Sequence, residues 1–439
     1  MSSKPETWPG FQARELRGFV RSLRLKPAHS RLVGGSMIML AGTVLVSLLN
    51  FGYNIAVARM LGAAEFSQAA AAVTLLMLIS CLTLAFQMVC AKFVARNPTP
   101  ANKAFVYRSL LRRAWMAGLT AGLVLCIFSR QVADWLRMPS PLLVIVLALG
   151  MTFYIPLGVR RGGMQGVYRF RRLSLNFILE TSIKFTAAVV LVKAGYGILG
   201  AVAAISISVV VAYFFPGTPV ELREQPIEGQ PASFREGIQA IIFFVGQVII
   251  NNIDILMVKH FFRPDVAGLY AAVALVGRVL YIASWQVVSA MFPIAAAGPT
   301  ETDQHESWMV VAIPLVLVTL LCLGFMLVLG FFPGPILHIL FGHQFVSGVD
   351  THNLLVLYAA ATGGYALSVV LMAYEMSRRI ANTGWFQLVI SAFVVIGITM
   401  FHNTLRDVIV VQQVLMVVLF LAVAVPFIRT RLVPIRGAA

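Results

Sequence analysis

Residues 54–75 read NIAVARMLGAAEFSQAAAAVTL, and residues 254–275 read DILMVKHFFRPDVAGLYAAVAL. Laid over one another without gaps, they place Asn54 on Asp254, Ile55 on Ile255, Arg59 on Lys259 and Glu65 on Asp265. Ala71, Ala72 and Val73 then fall on Ala271, Ala272 and Val273, and Leu75 falls on Leu275. Small apolar residues match by chance in any apolar chain. The polar positions carry more weight because they are scarce: 12% of the 439 residues are charged, about half the share of a soluble domain. The chain repeats itself at a spacing of 200 residues.

The rest of the sequence says what is repeated. Hydrophobic residues make up 59% of the chain, the mean hydropathy is +0.87, and one membrane-crossing helix takes about 20 apolar residues. Apolar runs between breakers and charges give twelve spans, near 33–57, 67–91, 114–129, 141–159, 174–192, 197–215, 237–258, 267–297, 308–331, 354–373, 382–400 and 408–428. Six spans separate the two copies, so both cross in the same direction. The fold expected is all-α: a polytopic membrane protein of about twelve transmembrane helices in two six-helix bundles, related by a parallel repeat. Its parts are a cytoplasmic basic amphipathic segment at 1–32, an N-terminal bundle at 33–215, a cytoplasmic linker at 216–236, a C-terminal bundle at 237–428 and a cytoplasmic tail at 429–439. Cytosolic enzymes, secreted disulfide scaffolds and disordered chains are excluded.

The net charge is +17. On a soluble protein that would suggest nucleic acid; here the cations flank the spans, and no nucleic-acid partner is expected. With the N-terminus inside, 25 Lys and Arg fall on the cytoplasmic side and seven on the other. Such a bias sets orientation, so both termini are expected in the cytoplasm. Residues 11–25 put Leu16, Phe19, Val20 and Leu23 on one helical face and Arg14, Arg17, Arg21 and Arg24 on the other. That pattern suits a helix lying on anionic membrane lipids; a basic tail that only sets topology is the alternative. The four cysteines sit in apolar runs with no metal or redox spacing, and the histidines make no zinc-helix pair, so no metal or cofactor is expected. No Lys follows a Gly, so the phosphate-cradling G-x-x-x-x-G-K pattern is absent.

Charges inside spans are the candidate functional groups, because each costs about 2.5–3.5 kcal/mol to insert. Arg278 lies near the middle of the eighth span, and Lys184 follows Glu180 by four residues in the fifth. The functional reading gives Arg278 and Lys184 to an anionic substrate, with Arg278 first because its own helix offers no carboxylate nearby; partnership with a carboxylate or carbonyl of a neighbouring helix is the alternative for Arg278. Glu180 and Lys184 could instead neutralise each other. Arg59 and Lys259 stand at the outer ends of the first and seventh spans, as further substrate contacts or as side chains reaching for headgroups. Asp254 and Glu180 are the candidates to carry a coupling proton or Na⁺.

Leu49-Asn50-Phe51, then Ala58-Arg59-Met60-Leu61-Gly62, resembles the first helix of the polysaccharide transporter (O-antigen flippase-like) family. That family shares a superfamily with the multidrug-and-toxin extruders and the lipid II flippases. Asp254-Ile255-Leu256, Ala267-Gly268-Leu269-Tyr270 and Phe292-Pro293 resemble its seventh and eighth helices. Arg161-Gly162-Gly163-Met164-Gln165-Gly166 is similar to its cytoplasmic turn after helix four, and Leu340-Phe341-Gly342 with Phe345 to the loop before helix ten. The resemblance implies no enzyme but a flippase in the bacterial inner membrane. It would move polyprenyl-diphosphate-linked oligosaccharide or polysaccharide precursors by alternating access, alongside glycosyltransferases or a polymerase of the same pathway. A cation-coupled multidrug antiporter is the alternative, and a membrane glycosyltransferase, polymerase or scaffold a more distant one. Twelve spans leave out the extra helix pair of the lipid II flippases.

Overall fold

The computed structural model describes residues 27–223, 234–297, 304–345, 351–378 and 384–432, and its regular structure there is helical throughout. The amphipathic stretch 11–25, linker residues 224–233 and tail residues 433–439 lie outside the described residues. Helix α1 (Pro27–Arg96) has 70 residues. Straight, it would measure about 105 Å at helical rise, more than three times the hydrocarbon thickness. It breaks at Gly62, whose φ of 78° and ψ of 176° suit glycine alone. Its two limbs are the first two spans. In the second half, α7 (Phe234–Phe261) and α8 (Pro264–Ala297) part at Phe262 and Arg263, and Phe262 stands 200 residues after Gly62. One bend is made by a glycine, its copy by a proline opening a new helix.

The first half continues with α2 (Pro100–Ile127), the short α3 (Ser129–Trp135), α4 (Pro141–Gly166), α5 (Phe170–Leu191) and α6 (Gly197–Phe214). The second continues with α9 (Gln304–Phe331), the short α10 (Pro333–Phe341), α11 (Thr351–Arg378), α12 (Gly384–Met400) and α13 (Leu405–Leu432). Packing repeats neighbour for neighbour. Helix α4 lies against α1, α2, α3 and α6, as α11 lies against α8, α9, α10 and α13. Helix α5 lies against α1 and α6, as α12 lies against α7 and α13. The two six-helix bundles are therefore copies of one design. They meet chiefly through α1, which packs on α7 and α8 and touches α10. Below, the α10 end is the one holding Gly62, α3 and α10; the terminal end is the opposite one.

Lipid tails are as apolar as leucine, so helices in a bilayer associate through close packing and polar contacts. Gly158, Gly162 and Gly166 lie one turn apart on α4 and face Thr83, Gln87 and Ala91, one turn apart on α1. A Cβ on Gly158 or Gly162 would collide with the Thr83 or Gln87 carbonyl, and on Gly166 it would stand 2.8 Å from that of Ala91. The run Arg161–Gly166, expected as a turn after the fourth span, is thus the last turns of α4 itself. The glycines made it look like a loop; they are there for contact. At the same end Arg169 donates from Nε to Glu221, 2.9 Å, tying the start of the linker to α5. Burial pushes the Glu221 carboxyl up, but backbone and Arg169 hydrogen bonds outweigh it and hold the group below its usual range.

Gly162→Leu should cost about 1–3 kcal/mol or more by overpacking and lower the yield and melting temperature of the purified protein. Gly324→Leu, where nothing stands within 4 Å, should leave both unchanged.

Candidate functional site

A cavity of about 270 Å³ lies between the halves. One wall comes from α1 and α5, with Ser47, Asn50, Asn54, Thr74 and Lys184; the other comes from α7 and α8, with Asn251, Asn252, Tyr281 and Arg278. Spans 1, 2, 7 and 8 all line it, and the fifth adds Lys184. Asn54 faces the cavity, its Nδ2 donating to the Asn50 carbonyl at 2.8 Å. Asp254, its repeat partner, stands behind the opposite wall and is 1% exposed.

Asp254 is satisfied from three sides. Arg278 Nη2 donates to Oδ1 at 2.8 Å, and the hydroxyls of Tyr270 and Tyr358 donate to Oδ2 at 3.0 and 2.9 Å. Gln412 Nε2 donates in turn to the Tyr270 hydroxyl, 2.9 Å. Arg278 spends two more donors on the Tyr358 hydroxyl, 3.2 Å, and Asn252 Oδ1, 3.4 Å. The expectation of Arg278 as an unpaired cation is therefore corrected. Its carboxylate lies on the neighbouring helix, where inspection of its own helix could not find it. The first half has no copy of this network: Leu78 stands in the place of Arg278 and Ala70 in that of Tyr270.

The pairing of Glu180 with Lys184 is also corrected. Glu180 is engaged by Arg161, which also donates from Nε to Asn176 Oδ1 at 2.7 Å and lies 3.9 Å above the Phe177 ring. Asn176 Nδ2 donates to the carbonyls of Ala212 and Phe215, at 2.7 and 2.6 Å, so the cluster binds α4, α5 and α6 together. Arg161 was missed because the Arg160-Arg161 pair looked like a charged loop; the glycines after it, spaced for a helix contact, were the available signal. Freed from Glu180, Lys184 donates to Asn50 Oδ1 and sits 5.0 Å from the Tyr53 ring centre. Among the described residues it makes no ion pair. It brings the cavity a positive charge held by neutral partners, with the Glu180 carboxylate still acting on it at longer range.

Arg59 and Lys259 do not line this cavity. Arg59 donates to the carbonyls of Leu340, 2.9 Å, and Ile339 at the end of α10, where four helix carbonyls lack partners. Lys259 reaches neither headgroups nor water: it is 1% exposed, and its Nζ donates to Ser67 Oγ at 2.9 Å. Both bonds cross between halves at the α10 end, as does the 2.7 Å bond between His260 Nδ1 and the Trp135 carbonyl. Phe66 roofs the cavity there, its ring centre 6.2 Å and 6.0 Å from those of Phe341 and Phe345. Gly268 meets the Ala63 backbone so closely that a Cβ would collide. Toward the terminal end the lining opens: Met77 and Ile282 are 43% and 41% exposed, against 1% for Phe66.

A sequence profile described as polysaccharide biosynthesis protein matches residues 56–350, about two thirds of the chain. The chain belongs to the polysaccharide biosynthesis protein family. No curated protein matches this family member. Among solved structures it is similar to a multidrug resistance MATE family transporter of the MOP superfamily in an inward-facing conformation. That match has 14% identity, a TM-score of 0.74, and covers 91% of this chain and 99% of that one. An outward-facing MATE transporter of the superfamily gives 14%, 0.62, 92% and 95%. The lipid II flippase MurJ, inward closed, gives 11%, 0.71, 90% and 88%. At these identities the likeness establishes a shared fold, a polytopic helical one, for this polysaccharide biosynthesis protein.

Removing Arg278 from such a site leaves Asp254 buried and unpaired, which costs about 3–5 kcal/mol. Arg278→Leu should therefore lower the amount of folded protein recovered from membranes. Adding Asp254→Leu should restore it, since apolar replacement of a whole buried pair is often neutral; thermal melting of the three purified proteins checks this.

Proposed function

We propose that this protein is a flippase for lipid-linked sugar diphosphates, working by alternating access with the terminal end toward the cytoplasm of a bacterial inner membrane. The carrying observation is Lys184, a cation bonded to neutral Asn50 and facing Arg278 across a cavity between two similar bundles. The barrier to flipping lies in the headgroup, since the tail can stay in hydrocarbon. Two phosphate charges cannot cross a low-dielectric layer unless cations accompany them. Lys184 supplies the charge. Arg278, three of whose donors are already engaged, offers the remaining N–H groups of its fork. Family membership supports a sugar-bearing substrate, and the 25-to-7 distribution of cations supports the orientation. The seal at the α10 end, with a cavity open toward the other, agrees with the higher TM-score against the inward-facing structure. The residues carrying it would be Lys184 and Arg278, with Asn50, Asn54 and Asn252 beside them. Asp254 becomes available to a proton or Na⁺ only when Arg278 turns away from it. Glu180, bound to Arg161, is withdrawn as a coupling group, and Arg59 and Lys259 are assigned to the seal. A drug antiporter of the same fold would suit a cationic substrate less, because the net charge offered here is positive.

Lys184→Ala should abolish export in a complementation assay at matched expression, with lipid-linked sugar accumulating on the cytoplasmic leaflet. Lys184→Arg should keep part of the activity, because the charge remains. Normal export by Lys184→Ala would refute the anionic-substrate reading, and loss of drug resistance without sugar accumulation would favour the antiporter.

Gly268→Val should prise α8 from Ala63 and favour the state open at the α10 end. A cysteine placed at Asn54 should then react faster with a membrane-impermeant thiol reagent applied from that side. An unchanged rate would mean that the Gly268 contact does not hold the seal.

A further inference from the structure

A second cavity, about 180 Å³, lies between α1 and α5 toward the terminal end. Met39, Gly42, Thr43 and Val46 form one face of α1, and Ser174 and Phe177 lie on α5. Its two hydroxyls give their protons to backbone carbonyls: Thr43 Oγ1 donates to the Met39 carbonyl at 2.8 Å, and Ser174 Oγ to the Ile38 carbonyl at 3.4 Å. What remains is hydrocarbon. A buried water needs two to four polar partners, and with both protons spent this lining offers only the lone pairs of two hydroxyls.

The same two helices carry the site above it. Val46 stands one turn, about 6 Å at helical rise, before Asn50, and Phe177 two turns before Lys184. The residue after Val46, Ser47, already lines the larger cavity. Beside this face of α1, Ile38, Val44, Leu45 and Leu48 are 44%, 47%, 43% and 63% exposed, an apolar surface facing the bilayer.

We propose that the α1–α5 cavity holds the start of the isoprenoid chain of the substrate whose diphosphate Lys184 and Asn50 receive. This rests on the diphosphate reading and adds a second subsite to it. A polyprenyl diphosphate joins a doubly charged head directly to a hydrocarbon, and the two cavities set Asn50, with the Lys184 ammonium bonded to it, one turn from an apolar groove. Headgroup and tail are then recognised by opposite ends of one helix pair, and the chain leaves sideways into the leaflet between α1 and α5.

The test is equilibrium binding of three probes to the full-length protein in detergent: geranylgeranyl diphosphate, isopentenyl diphosphate and geranylgeraniol. Wild type should bind the C20 diphosphate at least about tenfold more tightly than the C5 one, the equivalent of burying about two methylenes. Val46→Trp, which fills the groove, should erase that difference by lowering the C20 affinity to that of the C5 diphosphate. Met39→Trp, filling it from the other end, should do the same if the first variant folds poorly. Lys184→Met should weaken both diphosphates by a similar factor. Equal binding of C20 and C5 by wild type, or a preference surviving both Trp variants, would overturn the groove while leaving the headgroup site intact. Geranylgeraniol binding as tightly as the C20 diphosphate would overturn it as well, since the groove would then be a seat for any bilayer chain. Failure of wild type to bind either diphosphate would remove the headgroup site, and the groove with it.

Discussion

A carboxylate buried inside a membrane bundle must be matched by positive charge or by donors, and Asp254 takes both. It draws Arg278 against the wall of the central cavity and fixes Tyr270 and Tyr358 over its other oxygen. The network reaches from α7 through α8 and α11 to Gln412 on α13, so one acidic residue sets the relative positions of four helices. It also determines which charge remains on offer. With Arg278 committed to Asp254 and Arg161 committed to Glu180, Lys184 is left as the cation of the cavity.

The scaffold was largely legible in the sequence, because membrane helices announce themselves by length and a duplicated chain by register. The 200-residue spacing places Gly62 and Phe262 at the same bend, though one is a glycine kink and the other a turn before proline. Pairings were less legible. Sequence spacing reports neighbours on one helix, as it did for Glu180 and Lys184, but a side chain 15% exposed is matched by whichever helix packs beside it. Arg161 and Asp254 both reach across to another helix, and no pattern within α4 or α7 points there. Gln412, a polar residue within the last apolar run, is a visible sign that some buried partner waits for it.

Helix ends misled in a different way. Arg59 and Lys259 occupy equivalent places, and both looked like groups able to reach a membrane surface. Arg59 instead caps the carbonyls of α10, and Lys259 is enclosed against Ser67. Their shared register reflects the duplication, while their roles depend on what the other half brings against them. The apolar neighbours Phe66, Phe341 and Phe345 make that end tight enough for a lysine to be shut away.

The containment of the ion pairs has a mechanical consequence. Arg161–Glu180 and Arg169–Glu221 lie within the first bundle, Arg278–Asp254 and Arg263–Asp265 within the second. Among the described residues no ion pair joins the two bundles, so one can swing against the other as a rigid body without pulling such pairs apart in hydrocarbon. What has to yield at the α10 end is ring packing and hydrogen bonds to hydroxyl or carbonyl oxygen. If the bundles part as proposed, Lys259, dry while the seal is shut, would gain water, and its hydration would offset part of the work of separating the two surfaces.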